Sequence, residues 1–139
     1  MESVKLNNDV SMPLLGFGVF QVDDLEVCER TVTDAINAGY RLFDTAAIYG
    51  NEEAVGRAIK KSDIPRDQFF ITSKMWVTDT TGDRPAKAIE TTLKKLGTDY
   101  LNLYLLHMPF GDTLNAWRAM EKANKAGDIR AIGVSKLYV

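Results

Sequence analysis

Four polar side chains able to handle a proton follow short apolar segments of this 139-residue chain: Asp44, Tyr49, Lys74 and His107. The apolar segments cover residues 42–43, 70–73 and 103–106, and His107 is the only histidine. Because the carboxyl ends of parallel strands form one face of an α/β barrel, we expect the four side chains to converge there. A phenol, an ammonium, a carboxylate and an imidazole in one site can protonate a carbonyl oxygen while a hydride arrives from elsewhere.

The charge of Lys74 bears on the acidity of Tyr49. Free tyrosine has a pKa of about 10, too high for efficient acid catalysis near neutral pH. A cation beside the phenol stabilises the tyrosinate and lowers that pKa. Lys74 is the candidate cation, and Asp44 would keep it charged and oriented. This argument predicts a Tyr49 pKa below the ordinary value.

Each of these residues alone has an ordinary structural explanation. Tyr49 alone is typical of a loop aromatic, Lys74 of a solvated strand end, and Asp44 of a helix cap. A lone histidine after an apolar run, such as His107, is more often a hydrogen-bonded core residue than a catalyst. The functional interpretation therefore depends on the four occurring together and in order.

A repeated strand–helix pattern would position these side chains. Residues 4–6 and 10–12 predict a short hairpin with a polar turn, and apolar runs predict strands at 14–20, 41–45, 69–74, 101–106 and 129–134. Near-continuous apolar strands that alternate with helices indicate a parallel sheet covered on both faces. We expect one α/β domain over residues 1–139.

Apolar residues at three- and four-residue spacing predict the helices between these strands. Asp23-Asp24 and Asn51 are candidate helix caps, Pro85 suits a first turn, and glycines end the helices. The residues predicted to face the sheet are Leu25, Cys28, Val32, Ala35, Ile36, Val55, Ala58, Ile59, Ala88, Ile89, Leu93, Leu96, Leu114, Trp117, Met120 and Ala123.

Composition and charge exclude several classes of function. The chain is 45% hydrophobic and 26% charged, an ordinary globular balance, and its net charge of −2 does not favour nucleic acid or an anionic membrane. No run approaches a membrane span, and no signal peptide is apparent, so we expect a cytoplasmic protein. Gly16-Phe17-Gly18 lacks the full dinucleotide fingerprint, and no cluster has metal-ligand spacing, so we predict no metal site.

Three segments resemble the aldo-keto reductase family, in particular its bacterial and lower-eukaryote members of the 2,5-diketo-gluconate reductase type. They are residues 39–52 (GYRLFDTAAIYGNE), residues 71–76 (ITSKMW) and residues 105–109 (LLHMP). The resemblance implies a (β/α)₈ barrel, of which this chain supplies the N-terminal hairpin, about five strands and four helices. It therefore predicts a partial TIM barrel, truncated after about the fifth strand.

The same resemblance implies roles for individual residues. NADPH would supply the hydride, Tyr49 would donate the proton, and His107 would orient the carbonyl of an aldehyde or ketone. The implied catalytic residues are Asp44, Tyr49, Lys74 and His107; the cofactor-binding residues are Gly18, Val19, Phe20, Asp44 and Ser135; the substrate-binding residues are Tyr49, Trp76 and His107. Core packing is the alternative explanation for Phe20 and Trp76.

The last motif in the sequence departs from the family pattern. Residues 133–137 read GVSKL where the family has Gly-Val-Ser-Asn-Phe, so Lys136 replaces an asparagine, and further cofactor contacts of the family belong to later strands. The alternatives are an NADPH-dependent carbonyl reductase, a non-catalytic remnant that binds cofactor weakly or not at all, and a portion of a longer enzyme. Unpaired sheet edges predict that the chain forms a homo-oligomer over the open side of the barrel.

Overall fold

The computed structural model describes residues 1–137 and is built on a parallel sheet of five strands. A separate antiparallel hairpin consists of β1 (Ser3–Lys5) and β2 (Ser11–Pro13). The parallel strands are β3 (Gly16–Gly18), β4 (Leu42–Asp44), β5 (Phe70–Met75), β6 (Leu101–Leu106) and β7 (Ile129–Val134). The helices are α1 (Leu25–Asn37), α2 (Glu52–Lys61), α3 (Arg84–Leu96) and α4 (Thr113–Ala126).

The order of the strands confirms the predicted partial barrel. Neighbouring strands in the sheet are also neighbours in sequence, from β3 to β7, and every pair is parallel. One helix connects each strand to the next. This repeated β/α unit is the one from which (β/α)₈ barrels are built, and it brings all the carboxyl ends of the strands to one face.

Strand register determines which side chains face the interior of the curved sheet. Lys74 pairs with Leu105, and Leu105 with Gly133, so these three residues form one layer on the same face. Ser73 lies on the opposite face, where its hydroxyl donates to the Glu52 carboxylate of α2 over 3.1 Å. Since side chains alternate along a strand, the register places Lys74 inward and its neighbour outward.

Two helical residues predicted to face the sheet are exposed instead. Leu114 is 71% exposed and Leu25 is 37% exposed. The buried face of α4 consists of Ala116, Met120 and Ala123, and Leu114 lies two residues before Ala116, about 200° around the helix. Within residues 1–137, no helix is both long enough and apolar enough for a membrane span.

The first parallel strand is shorter than predicted. The apolar run 14–20 suggested a seven-residue strand, but β3 spans only Gly16–Gly18. Leu14 and Leu15 are 63% and 54% exposed. The Leu14 N–H donates to the Glu2 carbonyl over 3.0 Å and so continues the hairpin, whereas the parallel ladder with β4 pairs only Gly16–Gly18.

A guanidinium clamp joins the starting ends of β5 and β6. Arg66 donates from Nε to Thr98 Oγ1 over 2.8 Å and from Nη1 to the Phe69 carbonyl over 2.8 Å. Its Nη2 donates to the Tyr100 carbonyl and to Asn102 Oδ1, at 2.8 and 2.9 Å. This fork uses the planar, multidentate geometry that lysine lacks, and it lies at the opposite ends of the strands from the predicted site.

Gly56 allows α2 and α3 to approach closely. A Cβ at this position would overlap with the backbone of Leu96 at the end of α3. We expect Gly56→Ala to lower the free energy of unfolding by about 1–3 kcal/mol, because the overlap outweighs the better helix propensity of alanine. Urea denaturation tests this, with Gly18→Ala as the control, since a Cβ at Gly18 meets nothing within 4 Å. Equal stability of the two variants would contradict the packing argument.

Candidate active site

A cavity of about 400 Å³ lies at the carboxyl ends of the strands. Its lining residues are Phe20, Asp44, Tyr49, Lys74, His107, Ser135 and Lys136. The structure thus brings together all four residues predicted to handle the proton, and adds Phe20 and Ser135 from the predicted cofactor set. Gly18, Val19 and Trp76, which were also predicted, are not among the lining residues.

The lining side chains come from the ends of the strands and from the loops that follow them. Asp44 is the last residue of β4, Lys74 the penultimate residue of β5, and His107 follows β6 directly. Tyr49 ends a short 3₁₀ turn, Ala47–Tyr49, between β4 and α2. Gly50 follows with φ of +69°, a left-handed conformation that glycine adopts readily and that turns the chain into α2.

Lys74 is held by two oxygen acceptors. Its Nζ lies 2.6 Å from Asp44 Oδ1 and 2.9 Å from the backbone carbonyl oxygen of Thr45. The residue is only 8% exposed, so its ammonium depends on these partners to replace water. Asp44 and Thr45 therefore fix the position of the Lys74 ammonium in the cavity.

Tyr49 is enclosed by three other side chains of the cavity. Its ring centroid lies 5.1 Å from that of Phe20 and 5.6 Å from that of His107, the latter in an edge-to-face arrangement. Lys74 Nζ lies 5.2 Å from the same ring centroid. The Tyr49 ring is thus near both a cation and an imidazole.

The predicted direction of the Tyr49 pKa is wrong for the cavity as it stands. Partial burial, followed by the negative charge of Asp44, raises the pKa of Tyr49 above its usual value. Lys74 Nζ lies 5.2 Å from the ring centroid but does not reverse this direction. The phenol is accordingly protonated at neutral pH, the state that a proton donor requires.

His107 is buried and electrically neutral at neutral pH. It is 5% exposed, and its Nδ1 is buried without a hydrogen-bond partner among the described residues. Burial lowers the pKa of His107, and the positive charges of Lys74 and Lys136 lower it further. A neutral imidazole offers one N–H donor and one acceptor nitrogen, which suits hydrogen bonding to an uncharged substrate.

We expect His107 to make the fold less stable as the pH falls from 7 to 5. Its folded-state pKa lies below the unfolded value of about 6.5, so the unfolded chain binds a proton more readily over this range. Urea denaturation at both pH values should show a smaller loss of stability in His107→Gln than in the wild-type chain. The same pH dependence in both proteins would contradict this assignment.

Phe20 and Trp76 have different relations to the cavity. Phe20 is 64% exposed and lines it directly, packed against Tyr49. Trp76 lines an adjacent cavity of about 310 Å³ with Ala47 and Ile48, and its ring centroid lies 5.2 Å from that of His107. Trp76 therefore adjoins the site through His107 and is not simply a core residue.

The sequence argument missed Thr45 and assigned Asn51 a different function. Asn51 was predicted to cap α2, but its side chain makes no capping hydrogen bond. Its Oδ1 accepts from Thr45 Oγ1 over 2.7 Å, and its Nδ2 donates to the carbonyls of Val19 and Val22 over 2.9 and 3.1 Å. Two polar residues so close to Asp44 and Tyr49 were the available signal, but side-chain bonding to distant carbonyls has no local pattern.

Lys136 occupies a backbone conformation that suits asparagine better. Its φ is +56°, in the left-handed region, where asparagine is tolerated and long side chains are disfavoured. The departure of GVSKL from Gly-Val-Ser-Asn-Phe thus changes backbone strain as well as the side chain at the cavity.

We expect Lys136→Asn to raise the free energy of unfolding by about 0.5–1 kcal/mol by relieving that strain. Lys136→Ala is the matched control, because it removes the ammonium but keeps a non-glycine, non-asparagine residue at positive φ. Chemical denaturation compares the two variants with the wild-type chain. Equal stabilities of the asparagine and alanine variants would contradict the strain argument.

The cavity offers both polar groups and aromatic faces to a small molecule. The Ser135 hydroxyl donates to the His107 carbonyl over 2.6 Å, and its oxygen can still accept a hydrogen bond from an amide. Two aromatic rings and the Lys136 side chain complete that part of the cavity, whose volume is within the usual range for small-molecule sites. In the described part of the chain, no group of three or more acidic, histidine or cysteine side chains is arranged to hold a metal ion.

Comparisons with known proteins agree with this geometry. Residues 14–139 match the model of the Aldo/keto reductase family. Glyoxal reductase of Bacillus subtilis (strain 168) is 49% identical over 139 residues, which cover 99% of this chain and 50% of that protein. The chain spans about half the length of the curated relatives it matches.

Solved aldo-keto reductase structures also superpose on nearly all of this chain, over about half of their own length. An aldo/keto reductase from Brucella melitensis superposes with a TM-score of 0.94 at 45% identity, covering 99% of this chain and 55% of that one. A Bombyx mori aldo-keto reductase solved in complex with NADP superposes with a TM-score of 0.90 at 34% identity, covering 96% of this chain and 50% of that one.

Proposed function

Because the chain belongs to the aldo/keto reductase family, we propose that its site performs NADPH-dependent reduction of aldehydes or ketones to alcohols. The observation that carries the proposal is the single cavity lined by Asp44, Tyr49, Lys74 and His107. The protonated phenol can donate a proton to a carbonyl oxygen, with the ammonium and the neutral imidazole beside it.

Tyr49 donates the proton in the proposed reaction. NADPH, when bound, supplies the hydride to the carbonyl carbon. As the carbonyl oxygen gains negative charge, the Tyr49 hydroxyl transfers its proton to that oxygen. Lys74, 5.2 Å from the phenol ring, stabilises the tyrosinate that forms, and Asp44 holds the ammonium in place.

His107 orients the substrate in this mechanism. Its neutral imidazole donates one N–H to the carbonyl oxygen, which fixes that oxygen next to the Tyr49 hydroxyl. Phe20 and Trp76 flank Tyr49 and His107 with apolar surface that disfavours water. Such surface favours small carbonyl compounds with an apolar or weakly polar body.

The nicotinamide end of the cofactor would be held by four residues that line the cavity: Phe20, Asp44, Ser135 and Lys136. Gly18 leaves open space beside its backbone, so the predicted contact is a close approach of the cofactor to the Gly18 backbone. Val19 is fully buried, and its N–H and C=O bond to the Asp44 carbonyl and to Asn51. Its proposed contribution is to fix the loop that carries Phe20.

Two relatives support the choice of substrate class and cofactor. The Bacillus subtilis relative is named a glyoxal reductase, and the Bombyx mori structure holds NADP. Small aldehydes, with glyoxal first, are therefore the substrates to test, and the preference for NADPH over NADH is part of the proposal. A cytoplasmic location, expected from the sequence, stays a prediction.

The test is NADPH consumption by the purified chain with glyoxal and a panel of other aldehydes and ketones. We expect oxidation of the cofactor with formation of one alcohol per NADPH consumed. A chain that binds NADPH measurably but reduces no member of the panel would overturn the proposal. Comparing NADPH with NADH at equal concentration tests the cofactor preference.

The second candidate function is a non-catalytic protein that binds cofactor weakly or not at all. It is favoured by Lys136 at the position of the family asparagine, with its side chain at the cavity. Each lost hydrogen bond to a charged group costs about 1.5–3 kcal/mol of binding, so the 139-residue chain is expected to bind NADPH weakly. Titration followed by tyrosine and tryptophan fluorescence measures this, and submicromolar binding by a monomer would exclude the second candidate.

A further inference from the structure

We infer that Asn51 is a positioning residue that holds Tyr49, Phe20 and Lys74 in their working arrangement. Its amide connects the loop after β3, which carries Phe20, to the end of β4, from which Thr45 reaches Lys74. The kinetic part of this inference rests on the proposed reductase function, whereas its structural part does not.

Asn51 makes its contacts in a fully buried position. It is 0% exposed, as is Thr45. The amide accepts from the Thr45 hydroxyl and donates to the carbonyls of Val19 and Val22, all at 3.1 Å or less. Buried amides are retained where such bonds are made, because an unpaired buried polar group is costly.

One side of this connection reaches Tyr49. Val19 and Val22 stand on either side of Phe20, so the two bonds from Asn51 Nδ2 fix the segment that presents Phe20 to the cavity. The Phe20 ring packs against Tyr49 with centroids 5.1 Å apart. Asn51 also follows Tyr49 after a single residue, so it anchors both the donor and the ring against which the donor rests.

The other side reaches Lys74. The Thr45 hydroxyl donates to Asn51, while the Thr45 carbonyl accepts from Lys74 Nζ over 2.9 Å. The Thr45 N–H also donates to the Thr72 carbonyl of β5 over 2.9 Å. Thr45 is therefore fixed at three points, and Asn51 provides the one that lies outside the sheet.

Helix capping does not account for Asn51, because its side chain makes no capping bond to α2. A purely structural role would still predict lower stability on replacement. The two roles differ in what happens at Tyr49: positioning requires its surroundings and the rate of proton transfer to change.

The experiment compares Asn51→Ala with Asn124→Ala. Asn124 also donates from Nδ2 to two carbonyls, those of Ile129 and Arg130 over 2.7 and 3.1 Å, but at the start of β7, away from the site. Each variant is prepared with ¹³Cζ-labelled tyrosine, and the Tyr49 resonance is assigned by its loss in Tyr49→Phe. The readouts are the position and titration midpoint of that resonance, the unfolding midpoint, and kcat and KM for carbonyl reduction.

In Asn51→Ala, we expect the Tyr49 resonance to move and its titration midpoint to fall toward about 10 as the phenol gains water. We expect kcat to fall about tenfold or more with a smaller change in KM, because a displacement near 1 Å can cost about 100-fold. Asn124→Ala should lose stability but keep the wild-type Tyr49 resonance and kcat.

A Tyr49 resonance and kcat in Asn51→Ala that match those of Asn124→Ala would overturn the inference. If the wild-type chain shows no turnover, the reductase proposal fails, while the Tyr49 resonance still decides the positioning role. If Asn51→Ala does not fold, Thr45→Val decides by the same readouts, since it removes only the hydroxyl that donates to Asn51.

Discussion

Tyr49→Phe is expected to lower kcat for carbonyl reduction by about 100- to 10,000-fold, the usual contribution of a positioned proton donor. The substitution removes a single oxygen and keeps the ring that packs between Phe20 and His107. Because the phenol ring does not anchor the cofactor in the proposed mechanism, the affinity for NADPH should change little. The loss therefore belongs to the chemical step.

Tyr100→Phe is the matched control for this experiment. Tyr100 lies just before β6, at the opposite ends of the strands, where its ring stacks on Arg66 and Arg130 at 4.1 and 4.6 Å. The control should keep wild-type kcat, and NADPH binding by fluorescence should be alike in all three proteins. A wild-type turnover number in Tyr49→Phe would remove Tyr49 from the mechanism.

The 139-residue chain, prepared on its own, is expected to self-associate at micromolar concentration. Within residues 1–137, β3 and β7 each pair with a strand on one side only, which leaves backbone donors and acceptors at both sheet edges. Beside β7 lies an apolar groove whose lining includes Leu114, Trp117, Val134 and Leu137. At about 25 cal/mol per Å², every ~100 Å² of apolar surface that an interface covers contributes about 2.5 kcal/mol to association.

Another copy of the chain is the occupant we propose, since it offers the same open edges in a symmetric arrangement. Analytical ultracentrifugation measures the assembly, and Val134→Glu should shift it toward monomer by placing a charge in the groove. Val27→Glu is the control, because Val27 is 39% exposed on α1, outside the groove. A cooperatively folded monomer of 15.5 kDa would contradict this prediction and favour terminal segments that rearrange over the opening.

The strand–helix order was predictable because it depends on local periodicity. Polar residues at the carboxyl ends of apolar strands predict that Asp44, Lys74 and His107 lie at one edge of the sheet. The register of β5 and β6 brings them to that edge. Leu114 was misjudged because an apolar residue near the start of a helix satisfies the spacing rule without reaching the sheet. Periodicity predicts which side of a helix is apolar, but it does not predict where along the helix that side is no longer packed against the sheet.

Properties that arise from several elements at once were not predictable. The pKa of Tyr49 is raised by burial and by the negative charge of Asp44, whereas the sequence indicated only that a cation accompanies the phenol. Asn51 looked like a helix cap because an asparagine before an acidic helix start usually is one. Its actual acceptors lie 29 and 32 positions earlier in the chain, beyond any local rule.

The position of the Arg66 clamp indicates which parts of this chain can tolerate amino-acid substitutions. All of its acceptors lie at or before the starts of β5 and β6, whereas the cavity is lined from the loops that follow the strands. Exposed loop positions at the cavity end, such as Phe20 and Ile48, can therefore be varied while the clamp continues to hold the sheet together. The residues that hold the sheet together and the residues that line the cavity therefore lie at opposite ends of the same strands.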